Sequence, residues 1–544
     1  MKQNYMKHIG AMALGILMLS ACQDNDWDDH YGIDNSNTAT MSVMQTLEAN
    51  TDYSEFCKVI KEQHLDTLLN SDQSFTVWAP TNNAMAAFVS DGNDVEHFLQ
   101  NHINRYVYSA ADLTDTINVR IKMLNGKFQN FAKGGEGLTF SDIALTGNDY
   151  AATNGLIHTL SKVAPFYLNI YESIKENVGK TDSLSHYLQS FDEYTFDKSN
   201  STATGKNELG QLVYDSVFVY SNPWMKKYGD LYKEDSIYTV IVPNNECWKA
   251  AYAETSKYFR TFGTLVDAKE STLKVPTRTY EVDDQLADSL TRAYAIQNMA
   301  SNLVFRGKTD FSAAPGDSLV ATSGNVFHHP IDLLAGANAE TVSNGTIWHA
   351  SQWNYQPEDC FLKEIVVEAE DTKNRTDAYA NVFSRSASST QYADSVSGQK
   401  FIEVTSATTS SRTQPMVQFT IPNTLAATYD VYVVFAPSEA YVEDATADST
   451  RVRFYLNYVH EDGKMKEDAV INGAVTKGKG MTKMFVKRIT LPFANFSDSR
   501  FSGSQEQDAD CVRLRVQANV SASETTKFTR TMRIDCIKFE PVIE

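Results

Sequence analysis

Cys22 is the residue whose chemistry can be predicted most directly from its neighbours. It follows the tripeptide Leu-Ser-Ala at 19–21, which closes an apolar run over 9–18, and Lys2 and Lys7 precede that run. A basic start, a short apolar segment and small residues before a cleavage point are typical of a secretory signal. The apolar run is too short to cross a bilayer as a helix. The thiol of Cys22 would therefore lie at the start of an exported chain.

This arrangement resembles the lipobox of bacterial lipoproteins. In that family the cysteine thiol takes a diacylglycerol and the freed amine is acylated too, so the resemblance implies lipidation of Cys22, with palmitate among the acyl chains. Two or three chains anchor a protein stably, whereas one holds it only marginally. Residues 1–21 are thus predicted to be a lipoprotein signal peptide.

Residues 22–40 are predicted to form an acidic, flexible tether. The stretch Gln-Asp-Asn-Asp-Trp-Asp-Asp at 23–29 is acidic, and polar residues follow it. A solvated charge run is the plain interpretation. The stretch also resembles the acidic export signal of surface lipoproteins in glycan-foraging Gram-negative bacteria. We therefore expect a lipid-anchored protein of the outer membrane that faces the cell exterior.

The composition argues against some classes of partner and does not decide how the cysteines pair. The 544 residues carry a formal net charge of -20, which argues against nucleic acid and against anionic membrane surfaces. Of the 6 cysteines, lipidation of Cys22 would leave an odd number, so at least one thiol is free or pairs with another chain. Cys511 and Cys536 could form a disulfide between neighbouring strands, or the cysteines could be free and buried.

Two motifs each occur twice along the chain. The segment Phe-Thr-Val-Trp-Ala-Pro-Thr-Asn-Asn at 75–83 returns as Tyr-Thr-Val-Ile-Val-Pro-Asn-Asn-Glu at 238–246. Each reads as an apolar strand ended by proline, followed by a polar residue that can cap a helix. The later partners, Asn154-Gly155 and Asn344-Gly345, each predict a tight turn into a buried strand.

These paired motifs resemble the fasciclin domain family, in which a segment like Leu99–His102 lies between them. The resemblance implies an α+β domain over 41–167 and a degenerate second copy with insertions over 168–364. One insertion is the polar stretch 197–210 and another lies around 271–288. The resemblance also implies that His102 and His158 are structural, as their apolar surroundings independently suggest.

From residue 365 onward the pattern is all-β. Segments at 429–435, 451–458 and 512–516 alternate or run apolar at strand length, separated by turn residues, which is typical of a β-sandwich. The opening 367–370 and closing 533–539 resemble the galactose-binding-like jelly roll of carbohydrate-binding modules. We therefore predict a multidomain fold: two fasciclin-like α+β domains followed by a β-sandwich over 365–544.

That second resemblance implies that the first and last strands of the sandwich pair and hold a structural calcium ion. Glu368, Glu370 and Asp535 could supply oxygen ligands, of which Ca²⁺ takes six to eight. The alternative is two solvated glutamates on an edge strand and an aspartate in a turn. No other cofactor is expected.

The sequence contains candidate ligand-binding residues but no motif that indicates catalysis. The sequence contains no GxSxG, HExxH or P-loop motif, so we predict that the protein is not an enzyme. Trp353, Tyr355 and Trp224 are candidate ligand-binding residues, because exposed aromatic rings can stack on sugars or protein partners. Packing within or between domains is the alternative for them.

Together these features predict a non-enzymatic surface lipoprotein that binds glycan, protein or both, as an accessory component of an outer-membrane polysaccharide-uptake system. Two alternatives stay open: an adhesin that binds host or neighbouring-cell proteins through its fasciclin domains, and a subunit that docks on an outer-membrane transporter without binding glycan. Glycan binding predicts an exposed aromatic pair on one face of the sandwich. Adhesion predicts a broad apolar or charged patch on fasciclin-domain loops.

Overall fold

The computed structural model describes residues 39–543, with gaps in that range. The residues left out are 91–97, 114–117, 135–136, 178, 207–211, 262–264, 267–278, 281–283, 310, 312–317, 409, 411–412, 443–444, 463–464 and 495–511. The predicted signal peptide, Cys22, most of the tether and Cys511 lie outside the described residues. The chain forms two compact units, one of residues up to 169 with 233–235 and one of 170–232 with 236 onward.

The first unit is built on a mixed sheet. Its strands are β1 (Phe75–Pro80), β2 (Ile103–Asn104), β3 (Asn118–Lys122), β4 (Phe128–Gly134), β5 (Gly137–Phe140), β6 (Ile143–Ala152) and β7 (Gly155–Leu160). Their order is β2-β1-β7-β6-β5-β4-β3. The two motifs of the first repeat, β1 and β7, lie side by side and parallel, from Phe75 opposite Gly155 to Pro80 opposite Leu160.

Helices pack against this sheet. They are Val43–Ala49, Ser54–Glu62, Asp66–Leu69 and Asn82–Ser90, with 3₁₀ turns at Thr51–Tyr53, Leu99–His102 and Ala110–Asp112. The first helix starts with a capping box, in which the Ser42 side chain accepts from the Gln45 amide and the Gln45 side chain accepts from the Ser42 amide. This pairing satisfies two backbone donors that the first helical turn cannot satisfy itself.

The second unit begins with a variation on the same plan. Its first strands are β8 (Glu193–Phe196), β9 (Thr202–Lys206), β10 (Leu212–Asp215), β11 (Phe218–Ser221), β12 (Tyr238–Pro243), β13 (Leu265–Val266), β14 (Thr279–Tyr280), β15 (Val304–Arg306), β16 (Leu319–Val320), β17 (Val326–Phe327), β18 (Ala337–Val342) and β19 (Gly345–Ala350). The central sheet has the order β15-β12-β19-β18. Here β12 and β19 are parallel, with Tyr238 opposite Gly345, which is the register that β1 and β7 have.

The helices of this region are Ile170–Glu176, Asp182–Gln189, Pro223–Tyr228, Asn245–Tyr258, Asp284–Ser301 and Pro357–Cys360, with a 3₁₀ turn at Pro330–Leu334. The predicted insertion at 197–210 belongs to a pair of hairpins, since β8 pairs with β11 and β9 with β10. Of the predicted insertion around 271–288, residues 279–280 form β14 and residues 284–288 begin the helix Asp284–Ser301, whereas 271–278 and 281–283 lie outside the described residues.

The rest of the second unit is all-β. Its strands are β20 (Ile365–Glu368), β21 (Arg375–Ala378), β22 (Ala380–Ser386), β23 (Lys400–Ser406), β24 (Met416–Thr420), β25 (Thr428–Phe435), β26 (Arg451–Val459), β27 (Met465–Val475), β28 (Thr482–Thr490), β29 (Arg513–Ala518) and β30 (Met532–Pro541), with 3₁₀ turns at Thr372–Asn374, Ser397–Gln399, Ser438–Ala440 and Ala522–Glu524.

These strands form two sheets with a common core. The β30 sheet has the order β22-β23-β30-β25-β28, with β20 also paired to β30, and the β29 sheet has the order β21-β24-β29-β26-β27. The first and last strands pair as predicted, with Ile365 opposite Phe539. The predicted combination of α+β elements with an all-β sandwich is confirmed.

The sandwich core continues into the helical region that precedes it. Phe259, at the end of one helix, and Leu290 and Tyr294, on the next, belong to the same buried cluster as the sandwich strands. Backbone hydrogen bonds tie the two parts as well, from the Ala426 amide to the Tyr258 carbonyl at 2.9 Å. The second α+β region and the sandwich are therefore packed as one body.

Candidate functional site

The three predicted calcium ligands lie where the first and last sandwich strands meet. Glu368 ends β20, Asp535 lies on β30, and Glu370 follows two residues after Glu368. Ser397 links two of them, because its amide donates to Asp535 Oδ1 at 3.0 Å and its hydroxyl donates to Glu368 Oε1. Within the described residues, Glu368 Oε2 and Glu370 Oε2 are buried without a hydrogen-bond partner.

Negative charge therefore accumulates at this point. Asp535 is 1% exposed, and its burial together with the charges of Glu368 and Glu370 raises its pKa to about 7, although the Ser397 amide opposes the shift. Burial also raises the pKa of Glu370. A proton or a bound cation would stabilise these three neighbouring carboxyl groups.

The donor chemistry suits Ca²⁺, which prefers carboxylate oxygens. Over the described part of the chain, however, no set of three His, Cys, Asp or Glu side chains converges closely enough to hold a metal ion. The three carboxylates share an electrostatic environment without forming a coordination shell, so they do not fit a calcium site as they stand. Calcium binding stays a prediction.

Trp224 does not form a binding surface in this structure. Its indole is buried in the core of the second α+β region, where it packs against Tyr187 and Tyr228 with ring centroids 6.5 and 5.1 Å away. The residue lies in the helix Pro223–Tyr228, whose apolar side turns inward. In this structure its role is packing, which is the alternative that the sequence left open to a ligand contact.

Trp353 and Tyr355 contact each other, but they also face the core. Their ring centroids are 4.6 Å apart. Tyr355 is buried, and its hydroxyl donates to the Asn302 carbonyl at 3.2 Å, while Trp353 is half-buried against the same cluster. Tyr355 is therefore not available to a ligand, and the packing alternative describes this pair better than the binding prediction does.

An aromatic pair that was not among the predicted site residues lies on the outer face of the β30 sheet. Tyr432 on β25 is directly opposite Phe485 on β28, and the ring centroids are 5.5 Å apart. Tyr432 is half-buried and Phe485 is 44% exposed. We call these two residues the sandwich platform.

Charged side chains surround the sandwich platform. Lys483 Nζ lies 4.1 Å from the centre of the Tyr432 ring and pairs with Glu540. Arg488 makes two hydrogen bonds of 2.7 Å to Asp430, which lower the pKa of that carboxyl. Positive and negative groups alternate there, so the border offers hydrogen bonds without a strong net charge.

The signal for this pair was present in the sequence. Alternation along 429–435 sends Val431 and Val433 into the core, which turns Tyr432 outward. The sequence does not indicate that Phe485 lies opposite Tyr432. The strands β25 and β28 are separated by about fifty residues of chain, and no local pattern specifies that they pair.

The two predicted structural histidines are confirmed as core residues. The Ala164 amide donates to His102 Nε2 at 2.9 Å, so Nδ1 carries the proton and donates to the Phe98 carbonyl. His158 is held the opposite way, since it accepts from the Asp149 amide and donates to the Tyr108 carbonyl. Burial lowers both pKa values, that of His102 to about 4.

A groove of about 520 Å³ opens in the second α+β region, at the carboxyl ends of β12 and β19. Asn244, His349 and Lys180 are among its lining residues. His349 Nε2 is 2.5 Å from Glu340, which also accepts from the Ser173 hydroxyl. The imidazole of His349 is therefore already paired with an internal carboxylate.

Across the described residues, no helix is long and apolar enough to cross a membrane.

The first α+β region is similar to a known domain family. Residues 51–164 match the family model of the Fasciclin domain. This region therefore matches the family that the paired motifs resemble.

Individual proteins and solved structures match parts of this chain. A segment of 135 residues is 27% identical to the transforming growth factor-beta-induced protein ig-h3 of Oryctolagus cuniculus, covering 23% of this chain and 20% of that relative. A fasciclin domain pair from the insect cell adhesion molecule Fasciclin I aligns over 57% of this chain and 99% of its own, at 13% identity and a TM-score of 0.21. A xylan-binding domain of carbohydrate-binding-module family 22 aligns over 34% of this chain and 100% of its own, at 18% identity and a TM-score of 0.21.

Proposed function

We propose that this protein is a non-catalytic, lipid-anchored surface protein whose sandwich binds a neutral polysaccharide. The observation that carries the proposal is the sandwich platform, an aromatic pair exposed on a sheet face and bordered by charged side chains. Ring faces of this kind stack on the apolar faces of sugars, and the border supplies hydrogen bonds to their hydroxyls. Because the border charges are paired, a neutral glycan suits it better than an acidic one.

Under this proposal, the predicted lipid anchor places the protein at the cell surface, where it would capture polysaccharide for uptake. The acylated cysteine would hold the N-terminus at the outer membrane, and the sandwich would present the platform. Mass spectrometry of the mature N-terminus tests the anchor, since an unmodified thiol at Cys22 would contradict it. Genes for a transporter pair and glycoside hydrolases next to this gene would support the uptake role.

Binding is tested by affinity gel electrophoresis of the full chain against soluble xylan, galactan, mannan and mixed-linkage β-glucan. We expect retardation by at least one of them, and we expect the double variant Tyr432→Ala/Phe485→Ala to lose most of it. Loss of two stacking rings should weaken binding roughly tenfold or more.

The matched control is Phe383→Ala. Phe383 is 45% exposed, close to the exposure of Phe485, and lies in β22, which is on the opposite edge of the same sheet. A control variant that loses as much retardation as the platform variant would contradict the assignment of the site. A full chain that no polysaccharide retards would contradict glycan binding itself.

A further inference from the structure

The hairpin of β8 and β11 presents aromatic side chains that the sandwich platform does not involve. In this hairpin Tyr194 is 66% exposed, Phe218 is 56% exposed and Phe196 is 38% exposed. Large aromatic side chains are usually buried in a folded domain, so a cluster of exposed ones requires an explanation. The hairpin belongs to the second α+β region and lies outside the stretch that matches the Fasciclin domain model.

The aromatic side chains share one face of the hairpin. Tyr220 is directly opposite Tyr194 and Phe218 is directly opposite Phe196, and the ring centroids of the two pairs are 5.3 and 5.9 Å apart. Side chains two residues apart on a strand point the same way, so the two pairs form a ladder with a spacing of roughly 7 Å along the strand. We call Tyr194, Phe196, Phe218 and Tyr220 the aromatic ladder.

The base of the ladder is held in place by hydrogen bonds. Asp192 accepts from the hydroxyls of Tyr220 and Tyr171, at 2.7 and 2.6 Å, and from the side-chain amide of Asn222 at 2.8 Å. The Tyr220 ring also packs edge-on against Tyr232 at 4.8 Å. A two-stranded hairpin is only marginally stable alone, and these contacts fix it to the body of the unit. The exposed rings are therefore presented in a defined geometry.

The exposed surface is too small for a stable protein interface. With about 200 Å² for a complete aromatic side chain, the exposed parts of Tyr194, Phe196 and Phe218 amount to roughly 300 Å². A standard protein interface buries roughly 800 Å² on each partner. A patch of this size is still large enough to be functional on a monomer. Its dimensions suit a narrow, extended ligand.

We infer that the aromatic ladder is a second glycan-contact site, which binds successive sugar rings of the polysaccharide that the sandwich platform binds. This inference rests on the proposed function. The ladder repeats along one line, as the rings of an extended glycan chain do. The Asp192 carboxylate, which accepts from the Tyr220 hydroxyl, lies at the base of the ladder, so an acidic polysaccharide would be repelled and a neutral one accepted.

Two sites on one chain change the strength of binding to a polymer. Once one site holds the polysaccharide, the other meets it at a high effective concentration, so the combined affinity exceeds that of either site. A short oligosaccharide can occupy only one site at a time and gains nothing from this effect. The dependence of affinity on ligand length is therefore a signature of the ladder.

The test uses the full chain in affinity gels with the polysaccharide that retards it. The variant is Tyr194→Ala/Phe218→Ala, which keeps the anchoring Tyr220, and the matched control is Val219→Ala, an exposed side chain on the opposite face of the same hairpin. We expect the ladder variant to bind the polysaccharide about tenfold more weakly, with the control unchanged. Unchanged thermal unfolding of both variants shows that the fold is intact, and light scattering reports their association state.

The outcomes separate this inference from the proposed function. A ladder variant that binds like the unmodified chain, while Tyr432→Ala/Phe485→Ala does not bind, would overturn the ladder and leave the sandwich platform standing. Weaker binding by the ladder variant alone would support the ladder and overturn the platform. A change in association state without a change in retardation would overturn the ladder as a glycan site, since it would then be a contact between copies of the chain. A full chain that no polysaccharide retards would overturn both proposals.

Discussion

Asp535 is a buried carboxyl group of the sandwich that lies close to two other carboxyl groups. Its folded pKa of about 7 exceeds the ordinary value of 3.8. Between these two pH values the carboxyl group is protonated in the native state and ionised in the unfolded chain. The stability from this proton is fully present below pH 3.8 and is lost as the pH rises to 7. In a buffer that contains a chelator at about pH 8, the native carboxyl group is ionised at a cost to stability. We therefore expect Asp535→Asn to raise the free energy of unfolding by roughly 2–4 kcal/mol under these conditions. Urea denaturation at about pH 5 and about pH 8 measures it.

Asp430→Asn is the control for this prediction. The hydrogen bonds from Arg488 lower the pKa of Asp430, so this substitution should destabilise the protein or leave it unchanged at the same pH. Calcium adds a second comparison, because an ion bound by the carboxylates would stabilise the unmodified chain more than the Asp535→Asn variant. If Asp535→Asn were less stable than the unmodified chain in the alkaline chelator buffer, the native carboxyl could not be the unfavourable group described here.

His102 predicts a pH dependence of the opposite sign. Burial keeps its ring neutral and lowers its pKa to about 4, whereas the unfolded value is 6.5. The stability from the neutral ring is present above pH 6.5 and is lost as the pH falls to 4, a change of about 3 kcal/mol. We expect His102→Gln to be less stable near neutral pH and to show a flatter dependence at acidic pH. Equal slopes for both chains would refute this assignment.

At the scale of elements, the Asn-Gly pairs fix the two central strand pairs. Asn154 accepts from the Val43 amide and donates to the carbonyls of Leu69 and Ser71, while Asn344 accepts from the Ile170 amide at 2.8 Å. The glycine that follows lies against the neighbouring strand, since a Cβ at Gly345 would be 1.8 Å from a backbone oxygen of Tyr238. In both copies the asparagine side chain and the glycine backbone therefore hold the parallel strands against neighbouring segments. We call each Asn-Gly pair, with these contacts, a clamp.

Substitutions at this clamp should be costly. Asn344→Ala leaves a buried amide and carbonyl unpaired, which costs roughly 2–4 kcal/mol. Gly345→Ala forces β12 and β19 apart and should cost at least as much. Thermal unfolding of both variants measures the loss. Gly307→Ala is a useful reference, because a Cβ there meets no atom within 4 Å, although its positive φ of 75° adds local strain.

The repeated strands were predictable from the sequence for reasons that are local. A strand ended by proline, a polar cap and an Asn-Gly pair each occupy only a few consecutive residues, so the positions of β1, β7, β12 and β19 follow from the residues alone. From the sequence, an Asn-Gly pair indicates only a turn. In the fold, Asn344 accepts a hydrogen bond from the Ile170 amide, and Gly345 leaves room for the Tyr238 carbonyl of the neighbouring strand. Such contacts are not local and leave no periodic signal.

The candidate site was less predictable for the same reason. Trp224 and Tyr355 were chosen by residue type, but burial is decided by how helices and strands pack. The sandwich platform and the aromatic ladder each depend on cross-strand register, which joins Tyr432 to Phe485 and Tyr194 to Tyr220. Alternation within one strand indicates which side chains face outward, but it does not indicate which residues they will face.

At the scale of the whole molecule, the core that runs continuously from two helices of the second α+β region into the sandwich predicts shared stability. Phe259 is buried between the helical region and the sandwich strands. We expect Phe259→Ala to destabilise the unit by about 3–5 kcal/mol, as other deletions of buried phenylalanine side chains do. Hydrogen exchange should show faster exchange both in β12 and in β25. Faster exchange in only one region would mean that the two parts fold separately, and the exposed Phe383→Ala should change neither.

That continuous core also has a mechanical consequence. Under the proposed function, a moving polysaccharide would pull on the sandwich, and a flexible connection between the sandwich and the helical region would deform first. Between Phe259 and the strands that carry Tyr432, buried side chains interlock and the Ala426 amide bonds to the Tyr258 carbonyl. Tension on the sandwich would therefore be opposed by the shared packing and hydrogen bonds together, and the sandwich and the helices would move as one rigid unit.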